Sequence, residues 1–197
     1  PREKDQILLN SLNLKGKKVI GYIGTHGLAH KLDFVLNCAK RLESYKDIHF
    51  LLIGDGATKA QLLKLKEDLK CKNVTMLPSV SKNEVARYIS ILDVCLINLK
   101  KSQLFKTVIP SKIFENAGMQ KPILMGVEGE AKDIIESYGA GICFEPENEF
   151  DFKAKLFQIL EPQVYNDCKK GCKKITEDFD RKTLAKKMLT IINSSTR

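Results

Sequence analysis

Short apolar runs alternate with helix-length amphipathic segments along most of this chain, and no other feature restricts its fold as tightly. Runs at residues 17–24, 48–53, 73–77, 94–99, 122–125 and 141–144 have strand length and are rich in Val, Ile and Leu. Between them the spacing changes. From 28 to 44, the apolar residues Leu32, Val35, Leu36, Ala39 and Leu42 recur at helical intervals. Helices are expected there, at 58–69, at 82–92, at 131–138 and in a segment that opens at Ser111. Beyond Glu149 the pattern is helical only, with segments near 152–160, 163–178 and 181–192.

Strands separated by helices pair in parallel, and a parallel sheet is covered on both faces. The expected fold is therefore α/β: a doubly wound, Rossmann-like parallel sheet of about six strands flanked by helices, with a helical C-terminal tail. Ligands of such sheets lie beyond the carboxyl ends of the strands, at the switch point. That rule selects the loops at 25–31, 54–58, 78–82, 100–111 and 125–130. The stretch 100–109 is the longest and carries Lys100, Lys101 and Lys106. Unusual length marks a functional loop more often than a neutral one.

A chain of 197 residues has room for one domain with a sizeable core. No apolar run nears the roughly 18 residues a membrane-spanning helix needs. The 33 Lys and Arg residues against 24 Asp and Glu leave a net charge of +9, which favours anionic ligands. The lysines are spread along the chain, so a solvated basic surface is the plainer account. No aromatic-and-basic stacking surface is visible, and nucleic acid is not expected as a partner. The 6 cysteines are scattered. Cys95 and Cys143 fall in expected strands; Cys168 and Cys172 are four apart on an expected helix with no second ligand pair. No metal site is expected, and a reducing cytoplasm is.

The stretch Ile109-Pro110-Ser111-Lys112-Ile113-Phe114-Glu115, running on to Lys121-Pro122, draws the most chemical attention. Proline suits a first helical turn, and serine can cap its free N–H groups. A helix start with a lysine beside it suits a phosphate. Glu115 lies one turn beyond Ser111 on the same side and can accept hydrogen bonds from sugar hydroxyls. An ordinary capped helix with solvated charges fits the same residues. Other nucleotide signatures are absent. The first turn, Gly24-Thr25-His26-Gly27, misses the Gly-x-Gly-x-x-Gly spacing, Gly54-Asp55-Gly56 is a lone Gly-x-Gly, and no Gly-Lys-Ser or Gly-Lys-Thr occurs.

Taken in order, these segments resemble the C-terminal, donor-binding half of retaining GT-B glycosyltransferases, in the group 1 or family 4-like branch used in capsule and O-antigen synthesis. The likeness runs from Ile20-Gly21-Tyr22-Ile23-Gly24-Thr25-His26-Gly27 through Leu51-Leu52-Ile53-Gly54-Asp55-Gly56 and Pro78-Ser79-Val80-Ser81-Lys82. It continues through Pro110-Ser111-Lys112-Ile113-Phe114-Glu115 and Lys121-Pro122 to Gly139-Ala140-Gly141. The resemblance implies that Glu115 accepts both ribose hydroxyls. It implies that Ser111 and Lys112, with the N–H groups of Val108 and Ile109, hold a diphosphate. Val80 would contact the base through its backbone, and Gly24, Thr25 and Gly27 would let the chain approach the sugar phosphate. Lys112 is the catalytic candidate for leaving-group charge and His26 the second; a loop histidine also fits a plain hydrogen-bonding role. Thr25, His30 and Thr107 stand where the wider family often has an arginine, a lysine and a glutamate, and Pro110 and Gln120 replace common glycines.

The implied reaction moves a sugar from a UDP- or GDP-sugar to an acceptor hydroxyl with retention, with the nucleotide sugar as donor and neither cofactor nor metal. Residues 1–197 would form the single nucleotide-sugar-binding domain. The acceptor-binding N-terminal domain, its expected partner, would lie outside this chain, leaving the chain alone inactive. A cytoplasmic site follows, with a lipid-linked acceptor at the inner membrane surface. A sugar-nucleotide epimerase of related fold and a non-catalytic nucleotide-binding module stay open at this stage.

Overall fold

The structure, a computed structural model, describes residues 1–195. Six parallel strands form one sheet: β1 (Lys18–Ile23), β2 (Ile48–Ile53), β3 (Val74–Leu77), β4 (Val94–Asn98), β5 (Ile123–Gly126) and β6 (Gly141–Cys143). Their order is β3-β2-β1-β4-β5-β6, so the winding reverses between β1 and β4. The helices are α1 (Gln6–Ser11), α2 (Leu32–Arg41), α3 (Lys59–Asp68), α4 (Lys82–Ser90), α5 (Lys112–Gly118), α6 (Glu130–Tyr138), α7 (Glu149–Leu160), α8 (Pro162–Asp178) and α9 (Arg181–Ser195). The doubly wound α/β expectation holds, and most boundaries fall within one or two residues of the sequence reading.

Three differences have local causes. Helix α1 was not expected; six residues are too few to show a period. Asp5 caps it, accepting the Leu8 N–H at 2.8 Å, and pairs with Arg87 at 2.5 Å. Leu8 and Leu9 then pack beneath the sheet. Helix α2 starts at Leu32 rather than 28, because a 3₁₀ turn at Leu28–His30 and a left-handed Lys31 (φ 48°) precede it. The Asn98 amide fixes that turn by donating to the His30 and Lys31 carbonyls at 2.9 and 3.2 Å. The long loop after β4 is not slack either. It carries a 3₁₀ turn, Gln103–Phe105, and the Lys106 carbonyl accepts the Glu130 N–H at 2.8 Å.

The pleat divides the core. Ile20, Tyr22, Phe50, Leu52, Val94 and Leu96 face α2, α3 and α7. Val19, Leu51, Ile53 and Cys95 face α1 and α4, and Ile97, Ile123 and Met125 face α5 and α6. Gly21 belongs to this second face, where an added Cβ would lie 2.2 Å from Leu92. Lys121 is buried in the same region and donates to the Ser90 and Leu92 carbonyls at 2.7 and 2.8 Å, satisfying the open end of α4. Cys172 on α8 points inward as well, its thiol donating to the Lys121 and Ala140 carbonyls. The last helix behaves differently. Leu184, Met188, Leu189 and Ile191 on α9 are exposed, so these apolar residues of the tail do not cover the sheet. Among the described residues no helix is long and apolar enough to cross a membrane.

Candidate functional site

At the switch point the loops after β1 and β2 are stitched together. The Gly24 N–H donates to Ile53, the His26 N–H to Asp55, and Thr58 donates to the His26 carbonyl through both its N–H and its hydroxyl. The approach is close enough that side chains are excluded. A Cβ on Gly54 (φ +148°) would lie 1.8 Å from the Gly24 carbonyl oxygen, and one on Gly56 (φ +152°) 2.7 Å from that of His26. Gly54 and Gly56 therefore serve loop-to-loop packing as well as any approach by a ligand.

Above the stitched loops opens a cleft of about 230 Å³, lined by Gly24, Thr25, Gly54, Asp55, Ser79, Val80, Lys112 and Glu115 among others. Lys112 reaches into it from the first turn of α5. Its ammonium nitrogen rests against Gly24, where a Cβ would be only 2.2 Å away, and lies 5.8 Å from the Tyr22 ring centre. Burial pulls the Lys112 pKa below the ordinary lysine value, and the charge of Glu115 opposes that fall. Glu115 itself is exposed. The cleft thus joins a half-buried cation to an open carboxylate one turn apart. The N–H groups of Thr25 and Lys112 donate to no acceptor among the described residues.

Some expected roles are changed by the geometry. Ser111 stands at the start of α5, but its backbone is already helical (φ −57°, ψ −24°) and its side chain caps nothing. A helical backbone turns the hydroxyl away from the N–H groups that a cap must reach. It donates instead to Glu115 at 3.4 Å. Val108 and Ile109 are exposed and lie outside the cleft lining, and the Val108 N–H already donates to the Phe105 carbonyl at 3.2 Å. Gly27 lines a neighbouring cleft between α2 and α3.

His26 is fully buried, and neither ring nitrogen has a hydrogen-bond partner; the Ile53 carbonyl that it faces lies outside bonding geometry. Burial, aided by the charge of Lys59, pushes its pKa down to about 4. The ring is held neutral inside the domain, away from the cleft lining. His30 beside it is also pushed down by burial and by Lys112.

Lys59 was missed. It is half-buried and donates to the Gly54 and Leu77 carbonyls at 2.9 and 2.6 Å. The available signal was a lysine just beyond Gly54-Asp55-Gly56, at the start of a helix. The triplet Asp178-Phe179-Asp180 has a carboxylate spacing that can suit a divalent cation. Here Asp178 accepts from Tyr138, and Asp180 accepts the Thr183 N–H at the start of α9; neither lines the cleft.

Sheet order and cleft position define a doubly wound domain with its ligand crevice at the switch point. The chain belongs to the family described as glycosyl transferases group 1, whose profile matches residues 4–177. It is similar to WcaI of Escherichia coli K12, assigned to colanic acid biosynthesis as a glycosyl transferase: 27% identity over 157 residues, covering 78% of this chain and 38% of WcaI. It is also similar to TuaH of Bacillus subtilis 168, assigned to teichuronic acid biosynthesis, with 31% identity over 113 residues, 56% of this chain and 28% of TuaH. The chain therefore spans well under half the length of the curated relatives it matches. Among solved structures, Anabaena Alr3699/HepE in complex with UDP superposes with a TM-score of 0.80 at 15% identity, covering 95% of this chain and 52% of that one. The C-terminal domain of LpcC, a group 1 glycosyl transferase from Francisella tularensis, gives 0.73 at 17% identity and is covered over 95% of its own length. These structural likenesses concern the fold.

Proposed function

We propose that this chain is the nucleotide-sugar-binding half of a retaining GT-B glycosyltransferase acting in bacterial surface polysaccharide synthesis. The observation that carries the reading is the pairing of Lys112 and Glu115 across one turn of α5, both lining a cleft at the switch point. A nucleoside diphosphate has the matching charge pattern: an anionic diphosphate for the cation, a ribose diol for the carboxylate. HepE, of the same fold, holds UDP, and the colanic and teichuronic acid assignments of the two relatives support a polysaccharide role.

In this reading Glu115 orients the ribose, and the Val80 backbone meets the base. As the sugar–phosphate bond breaks, negative charge grows on the departing diphosphate. The half-buried Lys112 ammonium stabilises that charge from a partly desolvated wall, where such groups act most strongly, and the N–H groups of Thr25 and Lys112, without acceptors among the described residues, are available to it. Ser111 contributes through its link to Glu115. The acceptor, and the groups that activate it, belong to the other half of the protein. Retention, a UDP- or GDP-linked donor and a lipid-linked acceptor at the inner membrane are part of the same proposal.

Thermal shift and calorimetric titration with UDP, GDP and their sugars test it. Binding to the chain is expected, and Glu115→Ala should weaken it by about tenfold or more, as loss of a hydrogen bond to a charged group does. Unchanged affinity in the variant refutes the ribose role.

A further inference from the structure

Lys59 stands at the joint between two loops that form one wall of the cleft. The last ladder pair of β2 and β3 is Ile53 with Leu77, and past it the sheet no longer holds the backbone. Gly54 and Asp55 on one loop, Ser79 and Val80 on the other, continue into the cleft wall. Three hydrogen bonds tie this gap. The Gly54 N–H donates to the Leu77 carbonyl at 3.2 Å. The Lys59 ammonium then bridges that same carbonyl and the Gly54 carbonyl at 2.6 and 2.9 Å. Hydrogen bonds from a charged donor are roughly twice as strong as neutral ones. Burial draws the Lys59 pKa down, and the charge of Asp55 opposes that fall.

We propose that Lys59 is a specificity-determining positioning residue: it fixes the separation of the Gly54–Asp55 and Ser79–Val80 backbones, and with it the geometry in which that wall reads a nucleobase. Lys59 is not among the lining residues and acts through the two carbonyls it joins. The inference rests on the nucleotide-donor reading above.

The test measures dissociation constants of UDP, GDP and ADP for the 197-residue chain as wild type, Lys59→Met and Lys59→Arg. The three ligands carry the same diphosphate, so removal of a nearby positive charge weakens them alike and cancels in their ratios. The wild type is expected to prefer one base by about tenfold or more, equivalent to about 1.4 kcal/mol. Lys59→Met should compress that preference to within about threefold. Lys59→Arg, which keeps a cation at both carbonyls, should restore most of it. An unchanged ratio in Lys59→Met, a uniform loss across the three nucleotides, or a wild type indifferent to the base each overturns this proposal and leaves donor binding standing. A wild type that binds none of the three overturns both. Amide exchange at Gly54, whose N–H donates to the Leu77 carbonyl, supplies a ligand-free measurement. It should quicken in Lys59→Met and in the milder Lys59→Gln, and exchange unchanged in both variants overturns the proposed lock.

Discussion

Gly24→Ala offers a way to move the Lys112 ammonium without altering the lysine. The new Cβ would lie 2.2 Å from Lys112 Nζ and 2.5 Å from its Cε, and the next neighbour, the Tyr22 hydroxyl, is 3.6 Å away. The methyl group thus meets only the far end of a flexible side chain. Non-bonded contacts settle near about 3.5 Å, so the ammonium must retreat by about 1.3 Å into the cleft. The positive φ of +153° adds backbone strain of about 1–2 kcal/mol to the folded state. A hydrogen bond between an ammonium and a phosphate contributes about 1.5–3 kcal/mol, or roughly 10- to 150-fold in affinity, and a displacement of more than about 1 Å forfeits most of it. Gly24→Ala should therefore lose about 1–2 kcal/mol of stability by urea denaturation, and about 10- to 100-fold in UDP or GDP affinity by calorimetry. The decisive measurement is a cycle with Lys112→Met. If the glycine acts through the lysine, adding Gly24→Ala to Lys112→Met costs little further affinity. Additive losses, or wild-type affinity in Gly24→Ala, refute the argument.

Two other perturbations separate structure from chemistry. Lys121→Met leaves the buried Ser90 and Leu92 carbonyls without their donor; a loss of about 2–4 kcal/mol, seen as a fall in Tm of roughly 5–12 °C, is expected with nucleotide affinity intact, and reduced affinity without a fall in Tm would contradict a structural role. His26→Leu removes no hydrogen bond, so its stability at pH 7 should lie within about 1 kcal/mol of wild type. The folded pKa of His26 is depressed to about 4, below the ordinary 6.5. Its stabilising effect is therefore complete above about pH 6.5 and lost as pH falls through about 4. Denaturation curves from pH 7 to 4 should show the slope on the acid side smaller by one proton in the variant, and an unchanged slope would show that His26 does not titrate this way.

How much of this was legible in the chain depends on range. Strand positions were readable because fully buried parallel strands leave uninterrupted apolar runs such as Phe50-Leu51-Leu52-Ile53. Gln120 marks a limit of a different kind. It adopts φ 52° just beyond α5, a left-handed conformation that favours glycine, and only the backbone reveals it. Lys121 looked like part of a ligand motif, and Ser111 like a cap. Both readings used neighbours in sequence, whereas the partners of Lys121 lie about thirty residues away at the end of α4. Lys59 was missed for the same reason, since the Leu77 carbonyl it meets is 18 residues on. The Lys112–Gly24 contact joins the loop after β1 to α5, and no local pattern announces it.

The stitching of the loops after β1 and β2 has a kinetic corollary. Four backbone and hydroxyl bonds set the floor of the cleft as the chain folds. An arriving molecule then meets a finished surface, with little ordering entropy left to lose at that step. Encounter should be a single concentration-dependent phase, and any slower phase would have to come from rigid bodies moving together.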